Sequence, residues 1–502
     1  MALSPVNSVF NLSRGIADAR AQIFDLQRQL ATGKKAATYA ALGIDRTQLL
    51  SFRGELSQVS GYQSTISFVN IRLSVIQLSL ARVEEIAATT RSDAFSADFE
   101  PHANDQTDFQ AIASGRFAEI VDLLNQEVAG RHLFGGRETD ARPVVSADDI
   151  LNGSVGKAGF KQVADERRQA DVGSNGLGRL DIPVPVGADV SLTEDAIASP
   201  FGFKLNAVTS TLTGTNVTGP AGAPTDLTVS FTATPPDDGD TITVTLDLPD
   251  GTQTEVTLTA RTGPLTDPQP GEFEIGVDEN ATAANFQAEL VNVVQTAAQT
   301  DLRAASLVVA SDNFFDFDGT TPPQRVDGPP FDSATALKDG LTTDTVFWYD
   351  GELATDPPRQ SATAKIDDGN VVGYGVRANE DSFRTVLKNL AVLATDTYPS
   401  SDTNGKERYQ QLKNRAGQDL AFPAGTQSVK NVIAEFNVIQ VRFAAADTRH
   451  EANENMIRGF VDELENADIF EVAAQILAMQ GRLEASLAVT ASLSQISLVN
   501  FL

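Results

Sequence analysis

The sequence predicts an α+β multidomain fold, with long N- and C-terminal helices forming paired coiled coils and β-rich outer domains inserted between them. Three observations predict it. The 502 residues exceed what one hydrophobic core usually holds, so several structural units are expected. Of 22 prolines, only Pro5 and Pro101 precede residue 143 and none follows Pro423, which permits long helices only at the two ends. Apolar residues recur in steps of three and four at both ends, whereas the middle alternates Thr, Val, Ile and Leu with polar residues.

At the N-terminal end, Ile16, Ala19, Ile23, Leu26 and Leu30 form the first seam, interrupted by Thr32, Gly33 and Gly43. The step resumes with Leu49, Phe52, Leu56, Val59, Gln63, Ile66, Asn70, Leu73, Gln77 and Leu80. A helix over 46–92 would run roughly 70 Å, at about 1.5 Å per residue, far beyond a globular domain's usual helix. The polar residues Gln63, Asn70 and Gln77 in that seam lower stability and fix register.

The C-terminal end mirrors this pattern. Val429, Val432, Phe436, Ile439, Phe443, Ala446, His450, Asn453, Ile457, Phe460 and Leu464 keep the same step. A second segment carries Ile469, Val472, Ile476, Met479, Leu483 and Leu487, then Leu493, Ile496, Leu498, Val499, Phe501 and Leu502. By period alone these stripes suit an antiparallel bundle closed on itself. The length of the rods, and apolar residues out to the last position, favour burial against other copies of the chain.

Between the rods, strands are expected at 227–234, 241–248 and 254–259, separated by turns at Pro235-Pro236-Asp237-Asp238-Gly239 and Pro249-Asp250-Gly251. A helix over 281–299 and a further strand over 307–310 complete a sandwich-like or α+β insertion. Residues 226–280 hold twelve acidic residues against Arg261 alone, which marks an exposed, aggregation-resistant surface. Trp348, the sole tryptophan, is expected to anchor a core.

Composition narrows the chemistry. A formal charge of -29 repels phosphate backbones and anionic headgroups, so neither nucleic acid nor a membrane surface is an expected partner. With no cysteine there are no disulfides, thiolate zinc sites or Cys nucleophiles. His102, His132 and His450 are scattered without metal-ligand spacing. Met1 to Ser13 lacks the basic residues and apolar run of a Sec signal, and no stretch is expected to span a membrane.

Motif-like segments read as structure. Counting Gly319 as the sixth position of a calcium loop puts Phe314 and Arg325 where acidic ligands are needed, so Asp312 to Gly319 reads as an acidic turn. Gly173 to Gly178 lacks nucleotide-loop spacing and reads as a loop. The pairs Asp148-Asp149, Asp237-Asp238 and Asp367-Asp368 are expected by chance in so acidic a chain. No cofactor, metal or catalytic residue is expected.

The ends also carry motifs. Gln27-Arg-Gln-Leu-Ala-Thr-Gly-Lys-Lys35 resembles the L-x-T/S-G-K/R turn after the first helix of bacterial flagellins and of the related hook-filament junction proteins. Ala129-Gly-Arg-His-Leu-Phe-Gly-Gly136 resembles the segment closing the second helical stretch in that superfamily, and Ala488 to Leu502 is similar to its C-terminus, especially in the junction-protein branch. Ala36 to Gly43 departs from the usual flagellin sequence after the first turn. The resemblance covers roughly the first 140 and last 80 residues.

The resemblance implies a subunit of the bacterial flagellum, exported without a cleaved signal, whose terminal helices polymerise into a helical filament for motility. Implied partners are copies of itself, hook-junction and cap proteins, and the flagellar export machinery with a chaperone. The implied layout places 1–45 with 468–502 in an inner tube and 46–145 with 380–467 in a helical rod. It places 146–209 with 311–379 in a mixed outer domain, and 210–310 in the acidic insertion. Leu26, Leu30, Ile476, Leu483 and Leu487 are expected in the inner-tube seam, and Leu56, Leu73, Phe436 and Phe443 in the outer coiled coil. Ile16, Ile23 and Phe501 complete the expected subunit interface. Two alternatives stand beside the filament subunit: the junction protein, and a secreted polymer-binding protein or carboxylate enzyme anchored by its helices.

Overall fold

The structure, a computed structural model, describes residues 5–317 and 321–499, with side-chain surroundings for 13–317 and 321–492. Helix α1 (Pro5–Thr32) stops at Gly33, whose φ of 67° gives the left-handed turn that ends a helix. Helix α2 (Asp45–Ser96) follows, then α3 (Asp108–Leu124), opened by a capping box between Thr107 and Gln110. Strands β1 (Glu127–Val128) and β2 (Arg131–His132) form a tight hairpin whose turn residues Ala129 and Gly130 both have positive φ. Helices α4 (Ala147–Asn152) and α5 (Phe160–Val172) come next.

The β-rich stretch comprises β3 (Leu180–Asp181), β4 (Asp189–Glu194), β5 (Lys204–Ser210), β6 (Thr215–Gly222), β7 (Thr225–Phe231), β8 (Thr241–Asp247), β9 (Gln253–Thr262) and β10 (Glu272–Ile275). Helix α6 (Glu279–Ala297), capped by Asp278, leads through a π turn into α7 (Arg303–Phe315). Two small hairpins follow, β11 (Gln324–Val326) with β12 (Leu337–Asp339) and β13 (Thr363–Asp367) with β14 (Asn370–Gly373). The chain continues through α8 (Asp381–Thr395), α9 (Gly405–Asp419), α10 (Val429–Glu465) and α11 (Ile469–Val499).

The chain forms two compact units, the first made of residues up to Asn70, Ala364–Val372, and Gln440 onward. Within it α1 packs on α11, and α2 lies antiparallel to α10. Phe52 stacks on Phe460 and Tyr62 on His450, each with ring centroids 5.4 Å apart. The β13 strand lies against this pair: the Ile366 carbonyl is 2.6 Å from His450 Nε2, and Asp367 pairs with Arg449 at 2.6 Å.

The second unit, Ile71–Thr363 with Gly373–Ile439, contains the rest of α2 and α10. There Gln77 Nε2 donates to Asn437 Oδ1 at 3.2 Å and Lys430 pairs with Glu84 at 3.2 Å, so these parts of the two helices run antiparallel. The helices α3, α5, α7, α8 and α9 form a buried layer around Phe315, Phe383 and Trp348, whose indole N–H donates to the Phe315 carbonyl at 3.0 Å.

Two four-stranded sheets, ordered β3-β4-β7-β6 and β10-β9-β8-β5, share one core running from Leu177 to Ala305, with α6 packed on strands of both. The β8–β9 turn docks on α9 through Asp250 and Arg415, 2.8 Å apart and both largely buried. The three expected strands and both turns lie where the alternation put them.

Three expectations are corrected. Residues 307–310 are not a strand but the middle of α7, buried against α5 and α8: the run Leu307-Val308-Val309-Ala310 is too short for its period to separate a strand from a helix buried all round. The insertion does not begin at 210, because β4 pairs with β7 and β5 with β8, so the sandwich reaches back to about residue 180. One helix, α2, is by length and composition apolar enough to cross a membrane, contrary to the expectation that none is; part of its apolar surface is buried within the chain.

Candidate assembly interface

The segment linking α1 to α2 and the segment linking α10 to α11 are fastened to each other. Gly33 O accepts from Ala467 N and Glu465 O accepts from Lys35 N, each at 2.8 Å, on either side of an antiparallel bridge between Lys34 and Asn466. Lys34 Nζ lies 2.7 Å from Glu465 Oε2, and the Arg53 guanidinium, 5.3 Å above the Tyr39 ring, pairs with the other oxygen. Burial opposes ionisation of Glu465, whose side chain is 8% exposed, yet hydrogen bonds and charge from Lys34 and Arg53 outweigh it and hold the carboxyl below its ordinary value. The Thr32-Gly33-Lys34-Lys35 motif therefore forms a joint between the two ends of the chain.

The second motif is also a packing device. Phe134 is fully buried, edge-on to Phe383 at 5.9 Å, and Gly135 bridges Arg377. A Cβ on Gly136, which sits at φ 68°, would come within 2.3 Å of the Glu352 carboxylate, so only glycine fits.

The structure divides the expected seam residues. Leu73, Phe436 and Phe443 are fully buried within the single chain, and Ile23 and Ile476 nearly so. Leu56, Ile16, Leu26 and Leu483 are half-buried, Leu30 and Leu487 are exposed, and Phe501 lies outside the described residues. Leu73, Phe436, Phe443, Ile23 and Ile476 are therefore covered by the chain itself. Within the first unit α2 meets α10 at Phe52–Phe460 and Tyr62–His450, and α1 packs on α11.

A different apolar set remains in solvent. On α2, Phe68 is 68% exposed and Leu78 72%, and with Ile71 they share one helix face. On α10, Val438 and Val441 are exposed; on α11, Phe470 is 89% and Leu477 69% exposed; on α1, Phe24 is 70% exposed. Reading only the strongest three-four stripe missed them, although each is an apolar residue just outside that register.

Among the described residues, no group of three or more His, Cys, Asp or Glu residues is placed to hold a metal. His102 pairs with Asp108 at 2.8 Å and His132 Nδ1 lies 3.0 Å from the Asn125 carbonyl, both local contacts. Asp149 accepts from the Ser146 hydroxyl and its backbone N–H donates back to that oxygen at the start of α4, and Asp367 and Asp368 pair separately with Arg449 and Lys365. What the fold defines is an α+β protein with long helices and several small sheets, whose terminal helices leave large apolar side chains exposed. No protein-family model matches this chain, and no curated protein matches it.

Proposed function

We propose that the chain is a structural subunit of the bacterial flagellum that self-assembles through its terminal helices into the filament. The observation that carries this reading is the set of large apolar side chains left exposed on α1, α2, α10 and α11. A soluble monomer rarely leaves large side chains such as Phe24, Phe68, Leu78, Phe470 and Leu477 so open along its helices, and such surfaces mark contacts between proteins. The motifs at Thr32–Lys35 and Ala129–Gly136, which the superfamily resemblance singled out, occupy a joint and a packing site in this fold, and that supports the reading.

The antiparallel α2–α10 pair serves as a coiled-coil rod closed within each molecule, which shifts the contact between copies from the a/d seam to the second face. Copies stacked in one direction through unlike surfaces, with a rotation that does not close, make a helical polymer. Implied partners remain hook-junction and cap proteins, the export machinery and a chaperone, at an extracellular location reached without a cleaved signal. The subunit needs no enzymatic activity and no cofactor.

The similarity of Ala488 to Leu502 to the junction-protein tail favours a second reading, a hook-filament junction protein with the same ends. Electron microscopy of the purified chain under polymerising conditions separates them. Long tubes support the filament subunit, and short rings or stubs that grow only on hook ends support the junction protein. A chain that stays monomeric at high concentration, alone and with hook ends, defeats both.

A further inference from the structure

Among α5, α7 and the segment from α8 to α9 lies a cavity of about 160 Å³ bordered by Lys161, Arg168, Arg303, Asp165, Asp396 and Thr397. At about 30 Å³ per water it has room for about five waters, or for a compact ion with some of them. Three cations face two carboxylates here, in a chain whose overall charge is -29.

Both carboxylates are already engaged. Asp165 accepts from Arg168 Nε at 3.1 Å and from Gln169 Nε2 at 2.7 Å; Asp396 accepts from Arg408 Nε at 2.8 Å. Arg303 reaches Asp396 only at 3.4 Å, and among the described residues that is its one side-chain hydrogen bond, leaving most of its five N–H donors unused. The Arg303 side chain is nevertheless 19% exposed, and burial pushes its pKa below the ordinary arginine value although Asp396 opposes this. Among the described residues Lys161 Nζ meets only a neutral partner, Asn152 Oδ1, at 2.7 Å.

A guanidinium four-fifths buried that shares its carboxylate with Arg408 keeps N–H donors open to the cavity, where an oxyanion can accept from them. We propose that this cavity binds a small oxyanion of the phosphate or sulfate type, anchored by Arg303 through charge-assisted hydrogen bonds, with Arg168 and Lys161 at its mouth. The acidic surface elsewhere repels extended polyanions, so a compact ion is the ligand class that fits. The site is independent of the assembly reading.

Calorimetric titration of the full chain with sodium phosphate, and separately with sodium sulfate, tests it against sodium chloride at equal ionic strength. The expected result is saturable binding of one ion per chain for at least one oxyanion and none for chloride. Arg303→Met is expected to weaken that binding by at least about tenfold, the equivalent of one charge-assisted hydrogen bond. Lys161→Gln, at an exposed position, should weaken it several-fold with unchanged circular dichroism, and it carries the comparison if Arg303→Met does not fold. Equal heats with chloride, no saturable heat, or unaltered affinity in Lys161→Gln would overturn the proposal.

Discussion

Lys34 and Glu465, 431 residues apart in sequence, form an ion pair 2.7 Å long that ties the turn after the first helix to the turn before the last. Arg53 shares the same carboxylate. One acidic side chain thus fastens both ends of the chain at a single joint.

Glu465→Gln is expected to destabilise the first unit by about 1–2 kcal/mol at pH 7, because Glu465 is buried but Lys34 and Arg53 are nearly half exposed and partly solvated. The folded carboxyl is held below its ordinary value, so its contribution is complete above the unfolded glutamate pKa of about 4.3 and fades as pH falls through the lowered folded value. Melting curves of wild type and Glu465→Gln should therefore differ at neutral pH and converge in acid. A gap that persists unchanged in acid contradicts this account of the joint.

The two faces of the rod should respond oppositely to mutation. Phe443→Ala removes a fully buried ring and should cost about 3–5 kcal/mol in urea denaturation. Phe68→Ser and Leu78→Ser touch exposed positions and should change stability by less than about 0.5 kcal/mol while suppressing self-association in sedimentation velocity. Full polymerisation of the double serine variant would remove the second face from the interface.

The single tryptophan reports on the second unit. Trp348 is fully buried, so native emission is expected to be blue-shifted and to move red only as that unit unfolds. Trp348→Phe leaves the Phe315 carbonyl without its indole donor and should destabilise the unit by about 1–3 kcal/mol. Chemical denaturation followed by circular dichroism measures it, and a loss near zero would mean the hydrogen bond is replaced.

Excision of residues 210–310 is expected to unfold the second unit. The cut strands β4 and β5 without β7 and β8 and severs α7 above Phe314 and Phe315, which are fully buried. Hydrogen exchange should show lost protection in α5 and α8. Native-like protection in that deletant would mean the sandwich is separable after all.

The helices at both ends were legible because a three-four apolar step and the absence of proline act locally, residue by residue. The strands at 225–262 were legible from alternation and from Pro-Asp-Gly turns. Strands β4 to β6 passed unnoticed, since Asp189–Glu194 and Thr215–Gly222 carry few branched apolar residues and gain their burial only from β7 and β8. Buried pairs such as Arg167 with Asp171, and Glu166 with Arg325 159 residues away, carry no local signal, because their burial comes from other elements.

By itself, then, the sequence determined where the terminal helices and the strands β7 to β9 form and that the rods carry apolar stripes, because periodicity is a property of neighbours along one chain. Only the tertiary structure decided which apolar residues are covered, since α2 meets α10 from the far end of the chain while Phe68 and Leu78 on α2 and Val441 on α10 stay in water. Burial is a relation between surfaces, and no period within one helix specifies the surface it will meet.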